Sequence, residues 1–274
     1  MEVLHAADRA SHSAPVGCVT GAAGNIGRAI GARLAADGFH VVATVYGGPG
    51  PDRPPGHPLY TGSVSGRSLG ADEGWDVVAC DLADAHDCRA LLAWIRDRHG
   101  RLDCLVNNAA TWSFGSLAET TDADWRDAFE VNVVAAARLV REARRLLRDS
   151  EAPRVVNIGS TCGVLPEAGI GPYCVSKAAV HALTGWMAIE LAGDGVLVNA
   201  VAPGFIDTTS NAQYMTEERL PARLARIPAG RAGTTDEVAA AVSFLASPAL
   251  GFVTGTVLRC DGGQLAGSNA LANE

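Results

Sequence analysis

Short apolar runs that suit buried strands alternate with longer segments of helical periodicity along nearly the whole chain. The strand candidates lie at residues 16–20, 40–45, 76–80, 102–106, 154–158, 197–201 and 256–259. Helical patterns, the third of which extends to residue 148, begin near Asn25, Asp84, Asp122, Pro172 and Thr235. Because parallel strands need crossovers that cover the sheet, this alternation predicts an α/β fold. We expect a doubly wound, Rossmann-type parallel sheet of about seven strands with helices on both faces.

The domain organisation is indicated by the segments that break this alternation. Neither a repeat nor a linker divides residues 15–274, so we expect them to form a single domain. Residues 1–14 are polar and aperiodic, which predicts a disordered tail. Residues 47–74 are rich in Gly, Pro, Ser and Asp, so the crossover after the second strand is predicted to be irregular. Residues 205–230 are polar and loosely helical, which predicts a lid over a site.

The composition excludes several functional classes. A hydrophobic content of 48% is enough for a large core and excludes wholesale disorder. The formal net charge of −8 argues against non-specific binding to nucleic acid. No apolar stretch approaches the roughly 18 residues of a membrane span, so we expect no membrane partner. The 7 cysteines are scattered and lack a Cys-x-x-Cys pair, which favours free thiols in the cytoplasm and no metal site.

A glycine-rich loop joins the first strand to the first helix. Gly21, Gly24 and Gly27 are its glycines, and Asn25 and Ile26 stand between the last two. Glycines let a backbone turn tightly and approach a pyrophosphate, while the N-terminus of the following helix directs N–H donors at it. The spacing is G-x-x-G-x-x-G rather than G-x-G-x-x-G. This loop alone therefore leaves two interpretations, a phosphate-binding loop and a tight turn without a ligand.

Lys177 is the only lysine among the 22 basic residues, and it lies four positions after Tyr173. On a helix, this spacing places both side chains on one face. A free phenol has a pKa near 10 and is a poor acid–base catalyst at neutral pH, but a nearby ammonium favours the phenolate. The pair therefore predicts an acid–base catalyst. A surface lysine beside a core tyrosine is the alternative interpretation.

Three segments together resemble the short-chain dehydrogenase/reductase family. They are the loop at residues 20–27, the run Asn107-Asn108-Ala109-Ala110, and the run Tyr173-Cys174-Val175-Ser176-Lys177. The resemblance is to the single-domain branch that includes 3-oxoacyl-carrier-protein reductases, and it covers essentially the whole domain. Asn25 departs from the pattern, because this branch usually has its second glycine there.

The resemblance implies a catalytic set of four residues. Tyr173 would exchange a proton with the substrate oxygen, and Ser160 would orient that oxygen. Lys177 would lower the pKa of the phenol and hold the ribose of the cofactor, while Asn132 would hold a water that links Lys177 to solvent. The implied activity is hydride transfer between a nicotinamide cofactor and a carbonyl or secondary alcohol of a small or medium, partly apolar substrate.

The resemblance also implies which residues bind the cofactor. They are Gly21, Gly24, Asn25, Ile26, Gly27, Tyr46, Asp81, Leu82, Asn108, Ala109, Ala110, Tyr173, Lys177, Pro203, Gly204, Ile206 and Thr208. Preference for NAD usually needs an acid at the end of the second strand, which accepts from the ribose 2′-hydroxyl. Val45 and Tyr46 stand at that place instead. We therefore expect NADP(H) rather than NAD(H), with Arg53 and Arg67 as candidate partners of the 2′-phosphate.

The substrate pocket is expected to have an apolar and aromatic lining. The residues placed to form it are Trp112, Cys162, Leu165, Phe205 and Tyr214. The resemblance further implies a homo-oligomer, a tetramer or a dimer. Two other functions remain open on the same fold, a redox-neutral lyase or epimerase and a regulator that binds a dinucleotide without turnover.

Overall fold

The computed structural model describes residues 14–46 and 74–267. Within this part of the chain, seven strands form one sheet in the order β3-β2-β1-β4-β5-β6-β7, and all neighbouring strands are parallel. Their bounds are β1 Val16–Val19, β2 His40–Val45, β3 Asp76–Ala79, β4 Cys104–Asn107, β5 Arg154–Ile158, β6 Leu197–Pro203 and β7 Val257–Cys260. The strand order reverses between β1 and β4. In open α/β sheets, ligands bind in the crevice at such a reversal.

Helices cover both faces of this sheet. In the described residues they are α1 Asn25–Ala36, α2 Ala85–His99, α3 Asp122–Phe129, α4 Ala135–Arg148, α5 Gly171–Leu191, α6 Leu220–Leu224 and α7 Thr235–Ala246. Helices α1 and α7 contribute to the buried apolar layer on one face of the strands. Helices α2, α4 and α5 contribute to the layer on the other face. These two layers confirm the predicted doubly wound α/β fold.

The predicted bounds are close to the observed ones for most elements. Strands β2 and β5 begin and end at the predicted residues. The predicted lid contains a short 3₁₀ helix at Thr209–Tyr214 and the five-residue helix α6. The predicted tail and the predicted irregular crossover lie outside the described residues, apart from Ala14 and Gly74.

The helix predicted over residues 122–148 is not regular. A π-helical segment at Glu130–Val134 joins α3 to α4. A π turn holds more residues than an α turn, so it rotates the side chains of α4 about the helix axis relative to those of α3. Asn132 lies in this segment and contacts Ser176 of α5, whereas Leu139 and Leu147 of α4 belong to the apolar layer against the sheet. Apolar spacing alone predicts one continuous helix, because it does not register a single extra residue.

The sequence predicts free thiols, and in the described residues all seven cysteines are free and five are buried. Burial raises the pKa of the thiols of Cys18 and Cys104 to about 12, so both are protonated at neutral pH. In the described parts of the chain, no helix combines the length and apolar character needed to cross a membrane.

A polar cluster lies at the amino ends of β2 and β3, at the opposite edge of the sheet from the crevice. The Oδ2 atom of Asp76 lies 2.8 Å from Nε2 of His40 and 3.0 Å from Nε2 of His99. The guanidinium of Arg98 lies 3.1 Å from the same oxygen. The guanidinium of Arg98 already neutralises this carboxylate. We therefore interpret the cluster as an ion-pair network that joins β2 and β3 to α2.

Candidate active site

The carboxyl ends of the central strands open into one cavity of about 290 Å³. The glycine loop lines one part of it, and the lid lines another. Ser160, Tyr173 and Lys177 line the part between strand β5 and helix α5. The structure therefore brings the predicted phosphate-binding loop and three of the four predicted catalytic residues to the same cavity.

The glycine loop is too tightly packed for side chains at two of its glycines. Gly21 has a φ of +63°, and a Cβ atom there would lie 2.9 Å from the Cα of Ala109. A Cβ atom at Gly27 would lie 2.5 Å from the carbonyl oxygen of Gly21. Helix α1 begins directly after Gly24, and no side chain of a described residue caps its N-terminus. This turn at an uncapped helix N-terminus fits the pyrophosphate of a dinucleotide.

Asn108 and Thr20 hold the glycine loop against the end of β4. The Nδ2 atom of Asn108 donates to the carbonyl oxygens of Thr20 at 2.8 Å and Gly21 at 3.2 Å. The hydroxyl of Thr20 accepts from the backbone N–H groups of Asn108 at 2.9 Å and Ala109 at 3.0 Å. Asn108 therefore shapes the loop as well as lining the cavity. Ala109 packs directly against Gly21.

Helix α5 carries Tyr173 and Lys177 on its cavity face. The Lys177 side chain is almost fully buried, and its Nζ donates a 2.7 Å hydrogen bond to the carbonyl oxygen of Ile158. The same Nζ lies 5.6 Å from the centre of the Tyr173 ring. Burial lowers the pKa of Lys177 to about 8. The ammonium is therefore charged at neutral pH and loses its charge as the pH rises through about 8.

The Tyr173 phenol differs from the sequence-based expectation. The sequence predicts that Lys177 lowers the pKa of this phenol, but in the structure that pKa is raised above its usual value. Burial is the main cause, followed by the neighbouring Cys162, while a hydrogen bond with Ser160 acts in the opposite direction. The ammonium of Lys177 donates to Ile158, and any stabilisation of the phenolate that it gives is smaller than this loss of solvation. Tyr173 is therefore a protonated acid at neutral pH.

Ser160 lies against α5 because two glycines flank it. A Cβ atom at Gly159 would lie 2.3 Å from Nε2 of His181, and one at Gly163 would lie 2.8 Å from the backbone nitrogen of Ala178. The absence of both side chains lets the loop after β5 pack directly on the helix. The hydroxyl oxygen of Ser160 accepts from the backbone N–H of Cys162 at 3.1 Å. This hydroxyl also lowers the pKa of the Tyr173 phenol, so it lies beside the candidate acid.

Asn132 is buried and lies outside the main cavity, in a smaller adjoining one that Lys177 also lines. Its Oδ1 accepts from the backbone N–H of Thr111 at 2.7 Å. Its Nδ2 donates to the carbonyl oxygen of Thr111 and to the hydroxyl of Ser176, both at 2.9 Å. Both amide hydrogens are therefore engaged, and the side chain ties the segment after β4 to α5. The implied water link between Asn132 and Lys177 stays a prediction.

Most of the predicted cofactor-binding residues line the main cavity. Four do not line it as the described residues define it, namely Tyr46, Asp81, Leu82 and Ala109. Tyr46 is the last described residue before the gap at 47–73. The Oδ1 atom of Asp81 accepts from the backbone N–H of Ala83 at 3.0 Å, so this carboxylate closes the turn before α2. Contact between these residues and an adenosine group stays a prediction.

The predicted substrate pocket is largely assembled at the lid side of the cavity. Trp112, Cys162, Phe205 and Tyr214 line it, whereas Leu165 lies outside it and is 48% exposed. The Trp112 ring packs edge-on against the Tyr173 ring, with 6.4 Å between their centres. Leu165 differs from the expectation because the short 3₁₀ helix after Ser160 turns the chain outward before that position.

Sequence reasoning missed an ion pair on this side of the cavity. Arg223 of α6 donates to both carboxylate oxygens of Glu167, at 2.8 and 2.6 Å. Its guanidinium also lies 4.5 Å from the centre of the Tyr214 ring. Both charged residues line the cavity. They are 56 positions apart in the chain, so no local sequence pattern reports the contact.

Comparisons with known proteins find reductases of similar sequence. A family model described as enoyl-(acyl carrier protein) reductase matches residues 21–264. A 3-oxoacyl-[acyl-carrier-protein] reductase of Vibrio cholerae is 36% identical over 252 residues, which cover 91% of this chain and 96% of that protein. These matches extend over the glycine loop, the Tyr173 helix and the lid together.

Solved structures show the same architecture. YwfH, an NADPH-dependent reductase involved in bacilysin biosynthesis, superposes with a TM-score of 0.80 at 25% identity, covering 93% of this chain and 100% of its own. A candidate NAD(P)-dependent gluconate 5-dehydrogenase of Beutenbergia cavernae, solved with NADP at low occupancy, has a TM-score of 0.79 at 34% identity. That match covers 92% of this chain and 97% of the other. The Beutenbergia cavernae protein and the Vibrio cholerae reductase are named for different substrates.

Proposed function

Because this chain belongs to the short-chain dehydrogenase/reductase family of NAD(P)-dependent oxidoreductases, we propose that it transfers hydride between NADP(H) and a carbonyl or secondary alcohol. The substrate is small or medium in size and partly apolar. One observation carries the proposal. Ser160, Tyr173 and Lys177 line the same cavity as the glycine loop, which leads into the uncapped N-terminus of α1.

In the reducing direction, the bound nicotinamide cofactor supplies the hydride. Tyr173 donates its phenolic proton to the carbonyl oxygen, where negative charge develops as the hydride adds. Ser160 donates a hydrogen bond to the same oxygen and so stabilises that charge. The phenol is protonated at neutral pH and can therefore donate, and its raised pKa makes it a weaker acid than a phenol in water. Oxidation of an alcohol uses the same path in reverse.

Lys177 acts on the cofactor and on the charge of Tyr173 after proton donation. Its ammonium lies 5.6 Å from the centre of the phenol ring, close enough to stabilise a phenolate electrostatically. Nζ can donate to ribose hydroxyls as well as to the carbonyl oxygen of Ile158, because an ammonium has three donors. Asn132 holds the helix that carries both residues through its hydrogen bond to Ser176.

The preference for NADP(H) rests on the end of β2. Val45 is the last residue of that strand and Tyr46 is the next, so no carboxylate stands where the ribose 2′-hydroxyl of NAD would be recognised. A 2′-phosphate therefore meets no repulsion from these two residues. The NADPH dependence stated for YwfH and the NADP bound to the Beutenbergia cavernae protein support the same choice.

The lid side of the cavity supports a partly apolar substrate. Trp112, Phe205 and Tyr214 provide aromatic surface, and the Glu167–Arg223 ion pair adds a polar rim. A redox-neutral lyase or epimerase and a non-catalytic regulator are less favoured alternatives. A regulator would not need Tyr173 and Lys177 in the cavity, and a redox-neutral enzyme would show no net consumption of a reduced cofactor.

The test is a panel of ketones and 3-oxoacyl thioesters, followed at the absorbance band of NADPH, with NADPH and NADH titrated in parallel. We expect net oxidation of NADPH with at least one member of the panel, and tighter binding of NADPH than of NADH. Tighter binding of NADH would refute the cofactor preference. Binding of either dinucleotide without net oxidation across the panel would instead favour the redox-neutral or regulatory alternatives.

We also propose a homo-oligomer, a tetramer or a dimer, located in the cytoplasm where free thiols persist. The outer face of α5 carries Trp186 and Ile189 at 56% and 77% exposure, an apolar surface that a second copy of the chain would cover. Light scattering should give the mass of an oligomer for the wild-type protein. The double variant Trp186→Glu/Ile189→Glu should give a smaller species, whereas Leu117→Glu, at another exposed apolar residue, should not. An unchanged mass in the double variant would exclude this face.

A further inference from the structure

The side chain of Asn25 reaches across the cavity to the lid. Its Oδ1 accepts a 2.7 Å hydrogen bond from the hydroxyl of Thr209 and a 3.3 Å bond from the backbone N–H of the same residue. The two residues are 184 positions apart in the chain. Asn25 is the first residue of α1, directly beside the N–H groups that the glycine loop offers to a pyrophosphate. Asn25 stands where the family usually has glycine, and glycine has no side chain that could make this contact.

The lid has few other attachments near this contact. Its base is fixed by hydrogen bonds between residues 205–207 and Gly233. Among the described residues, neither the 3₁₀ helix at Thr209–Tyr214 nor α6 contains a buried residue. Such a segment gains little from apolar packing, so its closed position depends on a small number of polar contacts. The Asn25–Thr209 contact joins it to the glycine loop.

The location of the contact relates it to the dinucleotide rather than to the substrate. Gly24 and Asn25 line the cavity from the side of the sheet, and Thr208 and Thr209 line it from the side of the lid. The second tie of the lid, between Arg223 and Glu167, lies on the substrate side instead. The two ties therefore hold the lid over different halves of the cavity.

We propose that Asn25 and Thr209 form a latch over the pyrophosphate half of the cavity, which slows release of the dinucleotide. The latch rests on the proposed function, because it acts on a bound NADP(H) or NAD(H). Asn25 is here a positioning residue, since it acts by holding the lid. Loss of the latch leaves the proton-transfer residues unchanged and shortens the lifetime of the bound dinucleotide.

The test measures release of NADPH directly, by stopped-flow displacement of its fluorescence. Asn25→Ala removes both hydrogen bonds, and we expect release about five-fold faster, the effect of about 1 kcal/mol. Thr209→Val keeps the backbone donor and should have a smaller effect in the same direction. Thr209→Ser keeps the hydroxyl, so it should release NADPH as slowly as the wild-type protein. The double variant Asn25→Ala/Thr209→Val should release NADPH at the same rate as Asn25→Ala alone, because both substitutions act on the same Asn25–Thr209 contact.

A second readout needs no dinucleotide. Hydrogen exchange of the amides at residues 205–230 should be faster in Asn25→Ala than in the wild-type protein. The matched control is Thr216→Val, which removes another lid hydroxyl, one that accepts from the nearby backbone N–H of Arg219. Release of NADPH from that control should match the wild-type rate.

The outcomes separate the latch from the proposed function. If the wild-type protein binds neither NADPH nor NADH, the proposed function fails. If it binds NADPH but Asn25→Ala releases it no faster than the wild type, the latch is overturned and the function stands. Equal acceleration in Thr216→Val would also overturn the latch, since general loosening of the lid would then explain the effect.

Discussion

Replacement of Tyr173 by phenylalanine should lower kcat by about a thousand-fold, within the range for loss of a positioned general acid. Phenylalanine retains the ring that packs edge-on against Trp112. It removes the O–H group that would protonate the substrate oxygen and whose pKa Ser160 lowers. Binding of NADPH should change much less than kcat, because the glycine loop and Lys177 are untouched and the ring of Tyr173 is kept. Single-turnover oxidation of NADPH with a substrate from the panel measures the effect on the chemical step.

A second tyrosine provides the matched control for this experiment. Tyr214 also lines the cavity, but from the lid, where its ring lies beside Arg223. Tyr214→Phe should alter KM for the substrate rather than abolish kcat. If Tyr173→Phe keeps more than a tenth of the wild-type kcat, Tyr173 is not the general acid. Equal losses in both variants would point to packing of the pocket instead of proton donation.

Replacement of Lys177 by arginine should lower kcat/KM by about a hundred-fold, although the positive charge is kept. The lysine is only 2% exposed, and its compact ammonium fits between the Tyr173 ring and the carbonyl oxygen of Ile158. The planar guanidinium is larger and has its donors in a fixed plane, so it cannot replace three rotatable donors in the same space. Steady-state kinetics with NADPH and a panel substrate measure the loss.

Lys177→Met separates charge from shape, because methionine has similar length and no charge. We expect it to lose at least as much activity as Lys177→Arg, and thermal unfolding should show that both variants are folded. Near wild-type activity in Lys177→Arg would mean that the position requires only a positive charge. In that case the single lysine in an arginine-rich chain has no catalytic significance.

The sheet and most of its helices were predictable because their signals are local. A run of apolar residues such as 154–158 can be read without knowledge of the rest of the fold, and β5 begins and ends there. Helix α7 begins at the predicted Thr235, where Thr234 and Glu237 form a capping box. The π-helical segment was not predictable in the same way. Its extra residue is stabilised by bonds from Asn132 to Thr111 and Ser176, which only the tertiary fold supplies.

The same distinction applies to the candidate site. The glycine loop and the Tyr173–Lys177 spacing are short patterns, and the structure brings both to one cavity. The contacts of the lid join residues that are distant in the chain, and no sequence pattern reports them. The direction of the Tyr173 pKa was also missed. A four-residue spacing places a cation near the phenol but does not reveal how strongly the pocket removes both groups from water.

The burial of the single lysine has a consequence for chemical probes. Every other basic side chain in this protein, histidine aside, is an arginine, so reagents that acylate lysine amines find their one target enclosed between β5 and α5. Lysine-specific proteolysis is confined to the same enclosed position. Proteolysis at this position requires the catalytic helix to open, whereas a small acylating reagent can reach the amine only through the cavity that Lys177 lines. Apart from the N-terminal amine, a lysine-directed footprint would therefore report access to this cavity alone, without the background that surface lysines give in most proteins.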